Sequence, residues 1–158
     1  MTLTLVRHAI ARDGVDDDRR PLSGKGERRF ARVVRALAHL DMRFDLLAHS
    51  PKLRALQTAE ALVPRLRPGG STVVLDLLAE APGAELIETL AAWDGDVAIV
   101  GHAPHLNALL AWLVTGSPGD GASFPLKKGG VAVLEGTVAP GAMTLTLLLT
   151  PGVLRRLR

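Results

Sequence analysis

The feature that most constrains this chain is one arrangement used three times. A short apolar run ends on basic side chains, and a helical pattern follows. Leu3-Thr4-Leu5-Val6 runs into Arg7-His8 and then into the polar, Asp-rich stretch 12–20. Phe44-Asp45-Leu46-Leu47-Ala48 runs into His49-Ser50-Pro51, with Arg54 soon after. Val97-Ala98-Ile99-Val100-Gly101, the clearest buried strand, runs into His102. Strand, basic residue, helix, repeated, predicts an α/β fold: a three-layer sandwich with a mostly parallel mixed central sheet flanked by helices on both faces. Ligands in such sheets sit beyond the carboxyl ends of the strands. The rule brings Arg7, His8, Arg54 and His102 to one rim.

The helices between the strands carry ordinary signals. Ser23 is placed to cap a helix whose apolar stripe is Phe30, Val33, Val34, Leu37 and Leu40. Arg28, Arg29, Arg32 and Arg35 lie opposite and read as its solvated face, with a docking surface for an acidic partner as the lesser reading; His39 reads as structural. Ser50 and Pro51 fit the N-cap and first position of a second helix, with Leu53, Leu56, Ala59, Leu62 and Val63 on its buried face. Arg54 then falls in the first turn, where unpaired backbone N–H groups and the helix dipole favour an anion.

Pro64 and Arg67-Pro68-Gly69-Gly70 end that helix, Val73-Val74-Leu75 reads as a third strand, and Leu86, Ile87 and Leu90 line a short helix closing near Trp93. Glu80, in the loop after the third strand, is a candidate acid, whereas Glu85 and Glu88 read as solvated. Pro104 can open a further helix, with Leu106, Leu109, Leu110 and Leu113 as its stripe and Gly116 as its stop. His105 falls in its first turn, either near the rim or at the surface. Two strands, 131–138 and 142–149, joined at Ala139-Pro140-Gly141, complete the pattern, and the basic tail 154–158 reads as frayed. With no internal repeat, residues 1–158 are expected to form a single domain.

Composition narrows the function classes. With no cysteine, disulfides and thiolate metal sites are excluded, and a reducing compartment is compatible. The formal charge of +3 is modest, nearly all arginine, and aromatic residues make up only 3%, so a nucleic-acid surface is not indicated. No apolar run reaches the length of a membrane span and no signal peptide opens the chain; a soluble, cytoplasmic protein is expected, without membrane partners.

Two arginines and two histidines at one rim repel one another unless an anion lies between them. A phosphoryl group satisfies all four. The arginines can clamp its non-bridging oxygens, one neutral imidazole can attack phosphorus to form a covalent phosphohistidine, and the second can donate to an equatorial oxygen. No step needs a metal or a cofactor. Two other classes compete. His8, His49, His102 and His105 could bind zinc, but no carboxylate is placed with them and two arginines would repel a cation. A phosphate-recognising module without turnover would have no need of His8.

Leu5-Val6-Arg7-His8-Ala9, the block Ser50-Pro51-Lys52-Leu53-Arg54-Ala55-Leu56-Gln57-Thr58-Ala59-Glu60, and Val100-Gly101-His102 resemble the signature blocks of the histidine phosphatase superfamily (phosphoglycerate mutase-like). The small size and the Arg20-Pro21-Leu22-Ser23 turn resemble its SixA-type phosphohistidine phosphatase branch. The resemblance implies that His8 is the nucleophile, Arg7 and Arg54 the phosphate clamp, and His102 the second pocket histidine, with Arg20 a further phosphate-binding residue. Ala9 departs from the glycine usual there. The stretch around Glu80 is short, where larger relatives carry a longer segment holding a proton donor.

That shortness bears on the substrate. An alkoxide leaving group has a conjugate acid about as weak as water, pKa ~15.7, and needs a proton donor. An imidazole, pKa ~6.5, departs with little help. A protein carrying phosphohistidine is therefore the expected substrate, with a small phosphorylated metabolite as the alternative.

Overall fold

The computed structural model describes residues 1–157. Six strands, β1 (Thr2–Arg7), β2 (Phe44–His49), β3 (Leu66–Val74), β4 (Asp96–Gly101), β5 (Val131–Gly136) and β6 (Met143–Leu149), form one sheet in the order β3-β2-β4-β1-β5-β6. β1, β4, β2 and β3 are parallel, and β5 runs antiparallel to both β1 and β6. Helices α1 (Gly24–His39), α2 (Leu53–Leu62), α3 (Ala84–Ala91), α4 (His105–Thr115) and the single turn α5 (Pro151–Leu154) cover the two faces. This is the mostly parallel α/β sandwich expected. Among the described residues no helix is long and apolar enough to cross a membrane.

Side-chain alternation divides the core. Leu3, Leu5, Val97 and Ile99 point to one face and pack with Leu86, Leu90, Leu106, Leu109 and Leu110 of α3 and α4. Val6, Ala98 and Val100 point to the other, against Phe30, Val33 and Leu37 of α1 and Ala55, Ala59 and Leu62 of α2. Successive residues on a strand face opposite ways, so a central strand covered on both sides must be apolar throughout. The register then levels the strand ends: Arg7 pairs with Gly101, and His49 with Val100. Everything that follows β1, β2 and β4 leaves the sheet at one edge.

Local signals explain most boundaries. The Ser23 hydroxyl accepts from the Gly26 N–H at 2.9 Å, as an N-cap does. Gly116 ends α4 in the left-handed conformation with φ 84°. Gly26 permits a close approach, since a Cβ there would lie 2.1 Å from the Ile10 carbonyl oxygen.

Three expectations need correction. β3 begins at Leu66 and contains Pro68-Gly69-Gly70, because it is an edge strand: its register jumps from Phe44↔Leu66 to Leu46↔Ser71, which lets the Pro-Gly bulge out. Ser50 is not the N-cap of α2, nor Pro51 its first residue; the helix starts at Leu53 with Lys52 as cap and no side-chain cap bond, while the Ser50 hydroxyl accepts from the Lys52 N–H at 3.2 Å, ahead of the helix, and also bonds His102. The tail is not frayed through its described residues either. Thr150 caps α5 by accepting from Val153 N–H, and Leu154 is fully buried in the core with Phe30 and Val33; residue 158 lies outside the described residues.

Leu154→Ala should therefore cost about 2–5 kcal/mol, as for other core leucine truncations, read as a lower urea midpoint. An unchanged midpoint would mean that the tail contributes nothing to the core.

Candidate active site

The site is built where β1 runs out. The His8 N–H still donates to the Gly101 carbonyl of β4 at 3.0 Å, so the residue is held by the sheet although it lies past the strand. From the other side, Gly129 N–H donates to the carbonyls of Arg7 and His8 at 3.0 and 3.1 Å. The Arg7 side chain returns the contact, its Nη1 donating to the Leu126 carbonyl at 3.1 Å. A third tie comes from α2, where Thr58 Oγ1 accepts from Ala9 N–H at 3.0 Å and donates to the Arg54 carbonyl at 2.7 Å.

His8 Nδ1 lies 2.7 Å from the Ala9 carbonyl oxygen. A carbonyl only accepts, so Nδ1 carries the proton and Nε2 keeps its lone pair. Burial, together with the positive charges of Arg54, Arg7 and Lys128, pushes the His8 pKa down to about 4, against the opposing pull of the Ala9 carbonyl. The ring is neutral at pH 7, with Nε2 unprotonated.

His102 faces it, the two ring centroids 5.1 Å apart and the planes inclined by 49°. Its Nε2 is 2.7 Å from Ser50 Oγ. Its pKa is lowered to about 3, by burial first and then by the charges of His8, Arg54, Lys52 and His105. Ser50 is wholly buried; with its hydroxyl hydrogen directed at Nε2, the His102 proton sits on Nδ1, a buried nitrogen without a partner.

Arg54 lies in the first turn of α2 and is buried, 6% exposed. Its Nη1 donates to the Asp17 carbonyl at 2.7 Å and its Nη2 to Asp17 Oδ2 at 3.3 Å. Asp17 also takes Lys52 Nζ at 2.8 Å and Arg20 Nη1 at 3.1 Å. These partners, Lys52 foremost, hold its carboxyl far below the usual carboxylate range. Arg7 Nε, Arg54 Nε and His102 Nδ1 are each buried with no hydrogen-bond partner among the described residues. All three belong to residues around the His8 ring. Unpartnered buried donors of this kind match an oxyanion with several acceptor oxygens.

The structure thus brings together Arg7, His8, Arg54 and His102. Arg20 is tied to the Arg12 carbonyl at 2.8 Å and to Asp17, and meets the cluster only through that carboxylate. His105 opens α4, close enough for its charge to act on His102. Glu80 is exposed after a 3-10 turn and shares no hydrogen bond or ion pair with the four residues. His49 is buried with its Nδ1 donating to the Ser50 carbonyl. Among the described residues no three His, Asp or Glu side chains are grouped to hold a metal. Arg29 departs from the solvated face assigned to it: it is half-buried and lines a cleft with Arg7.

Sequence reasoning missed Ser50 as a partner of His102, Thr58 as the tie to Ala9, Asp17 as the counter-ion of Arg54, and the loop 126–130. Thr58 lies four residues beyond Arg54, one helical turn, which is the only local signal among them.

A family model described as histidine phosphatase superfamily (branch 1) matches residues 3–84. An uncharacterised protein of Picosynechococcus is 33% identical over 146 residues, covering 88% of this chain and 87% of its own length. The chain belongs to the histidine phosphatase superfamily, and it is a phosphatase, a hydrolase. Among solved structures, that of the protein histidine phosphatase SixA complexed with tungstate is similar at a TM-score of 0.83 and 25% identity, over 98% of this chain and 99% of that one. Two others share the fold. The alpha-ribazole phosphatase of Shigella flexneri matches at 0.73 and 19% identity, over 96% and 97% of the two chains. The phosphoserine phosphatase of Entamoeba histolytica, in complex with 3-phosphoglyceric acid, matches at 0.71 and 15%, over 94% and 96%.

The depressed imidazole pKa values set a pH dependence. Unfolded, each ring binds a proton below pH ~6.5; folded, His8 and His102 resist it until about 4 and about 3. The unfolded state therefore binds more protons on acidification, and stability falls by about 1.4 kcal/mol per pH unit for each ring. Urea denaturation between pH ~6 and ~5 should give a shallower slope for His8→Asn/His102→Asn than for the parent. Equal slopes would mean that the rings titrate normally.

Proposed function

We propose that this protein is a phosphohistidine phosphatase that works through a covalent intermediate on His8, residues 1–158 acting as one catalytic domain. The observation that carries the reading is the set of three buried nitrogens without partners, Arg7 Nε, Arg54 Nε and His102 Nδ1, around an imidazole whose Nε2 lone pair is free to react. His8 Nε2 attacks phosphorus, a new N–P bond forms, and the bond from phosphorus to the leaving group breaks in line with it. As the bond forms the ring gains positive charge, and the Nδ1–H bond to the Ala9 carbonyl at 2.7 Å strengthens to match. Arg7 and Arg54 neutralise the equatorial oxygens, and His102 Nδ1–H donates to one of them. Water then attacks phosphorus from the side the leaving group occupied. The N–P electrons return to Nε2; the leaving imidazole, protonated at its other ring nitrogen, has already departed as a neutral ring, and the proton lost by water goes to an oxygen of the released phosphate.

The choice of phosphohistidine rests on the leaving group. An imidazole, pKa ~6.5, departs without a strong acid, and Glu80 is exposed with nothing holding it toward the cluster. The similarity to SixA, a protein histidine phosphatase whose structure carries the oxyanion tungstate, supports the same class. The second reading is a phosphomonoesterase for a small phosphorylated metabolite, since an alpha-ribazole phosphatase and a phosphoserine phosphatase share the fold. Arg20 enters either mechanism as a residue that, with Asp17, orients Arg54.

A panel of phosphohistidine peptide, aryl phosphate and sugar phosphate tests the choice. Turnover should fall in that order, with Glu80→Gln costing little on the peptide. A sugar phosphate turned over fastest, and abolished by Glu80→Gln, would favour the metabolite reading.

His8→Ala should abolish turnover, and the parent should form a phosphoenzyme stable to base and labile to acid. Arg54→Ala should cost ~10²–10³ in turnover, as for loss of one transition-state donor. Substantial phosphate release by the His8→Ala protein would remove the covalent mechanism.

A further inference from the structure

Beside the His8 cluster, and joined to it through Arg7, lies an open cleft of about 560 Å³. Three separated segments bring cations to it: Arg29 from α1, Lys127 and Lys128 from the loop after α4, and Arg155 from the turn after α5. No acidic side chain lines it among the described residues. Among the described residues none of these side chains, nor Arg7, is within ion-pair distance of a carboxylate, whereas Arg54, Lys52 and Arg20 at the other side of the cluster share Asp17. Ile10 and Pro151 supply apolar contact beside the cations. Lys128 is near enough for its charge to act on His8, so the basic field reaches the reacting atom.

We infer that this cleft is a docking surface for an acidic segment of the phosphorylated protein, engaged while the phosphoryl group occupies the His8 cluster. The inference rests on the phosphohistidine-protein reading above. Shape and exposure favour a protein over a second phosphate of a small molecule. Subsites for small ligands enclose most of the ligand surface among fixed polar groups. Here the two lysines are exposed, Arg29 and Arg155 half-buried, and the charges are spread over three segments. Such a rim attracts and orients an oppositely charged surface, raising the association rate and making it salt-dependent, with little effect on the chemical step. Leu154, the residue before Arg155, is buried in the core with Phe30 and Val33.

The test uses Arg29→Gln/Lys127→Gln/Arg155→Gln and, as a surface variant that leaves the packing alone, Lys127→Glu. Three probes are p-nitrophenyl phosphate, a fluorescein-labelled Glu-rich peptide, and two phosphohistidine peptides that differ only in carrying Glu or Gln around the histidine. The parent should bind the Glu-rich peptide and prefer the Glu-flanked substrate in kcat/KM by ~10-fold at about 0.05 M salt, the preference vanishing near about 0.5 M. Both variants should lose the binding and the preference while p-nitrophenyl phosphate hydrolysis stays within about twofold. No peptide binding by the parent, or equal losses on all substrates, would overturn the inference. So would faster, variant-sensitive hydrolysis of a bisphosphorylated small compound, which would make the cleft a metabolite subsite. If the Glu-rich peptide binds at the cleft but neither phosphohistidine peptide is hydrolysed, the substrate reading fails and the docking surface stands.

Discussion

Two imidazoles with centroids 5.1 Å apart and two arginines do not gather by attraction. They are held together because β1, β4 and β2 are locked in register, Arg7 against Gly101 and His49 against Val100, by cores on both faces of the sheet. Apolar burial supplies the stabilisation; the strand ends are merely where it stops. The repulsion that remains is relieved by leaving both rings neutral, with pKa values near 4 and 3. Neutral rings are what the proposed attack of His8 on phosphorus requires, so the feature that makes the cluster tolerable also suits it to that step.

Each ring is then fixed by a single oriented partner. The Ala9 carbonyl takes the His8 proton and so directs the lone pair of Nε2, while Ser50 bonds His102 Nε2 and directs the other proton. The backbone carrying His8 is clamped from three directions, by Gly101, Gly129 and Thr58. The position of the His8 ring is thus set by backbone ties drawn from β4, α2 and the loop before β5, which no single stretch of chain contains.

Residue types declared much of this. Short-range signals held where nothing competed: Ser23 caps α1 and Gly116 ends α4. Where a tertiary partner competed, the local rule failed. Ser50 has every property of an N-cap, yet its hydroxyl bonds the Lys52 N–H ahead of the helix and His102, fifty-two residues away. Pro68-Gly69-Gly70 reads as a break, but at a sheet edge, where one side of the backbone needs no partner, it becomes a bulge in β3. The basic tail reads as frayed until Leu154 is seen to fill a place beside Phe30.

By itself the sequence determined the sheet, the edge at which function resides, and the four residues Arg7, His8, Arg54 and His102, because strand and helix periodicity and the position of a residue at a strand end are local properties. Only the tertiary structure decided that Ser50 bonds His102, that Asp17 gathers Arg54, Lys52 and Arg20, and that Arg29, Lys127, Lys128 and Arg155 share one cleft. Those outcomes depend on hydrogen bonds and charges between segments distant in the chain, and their geometry exists only once the strands have paired.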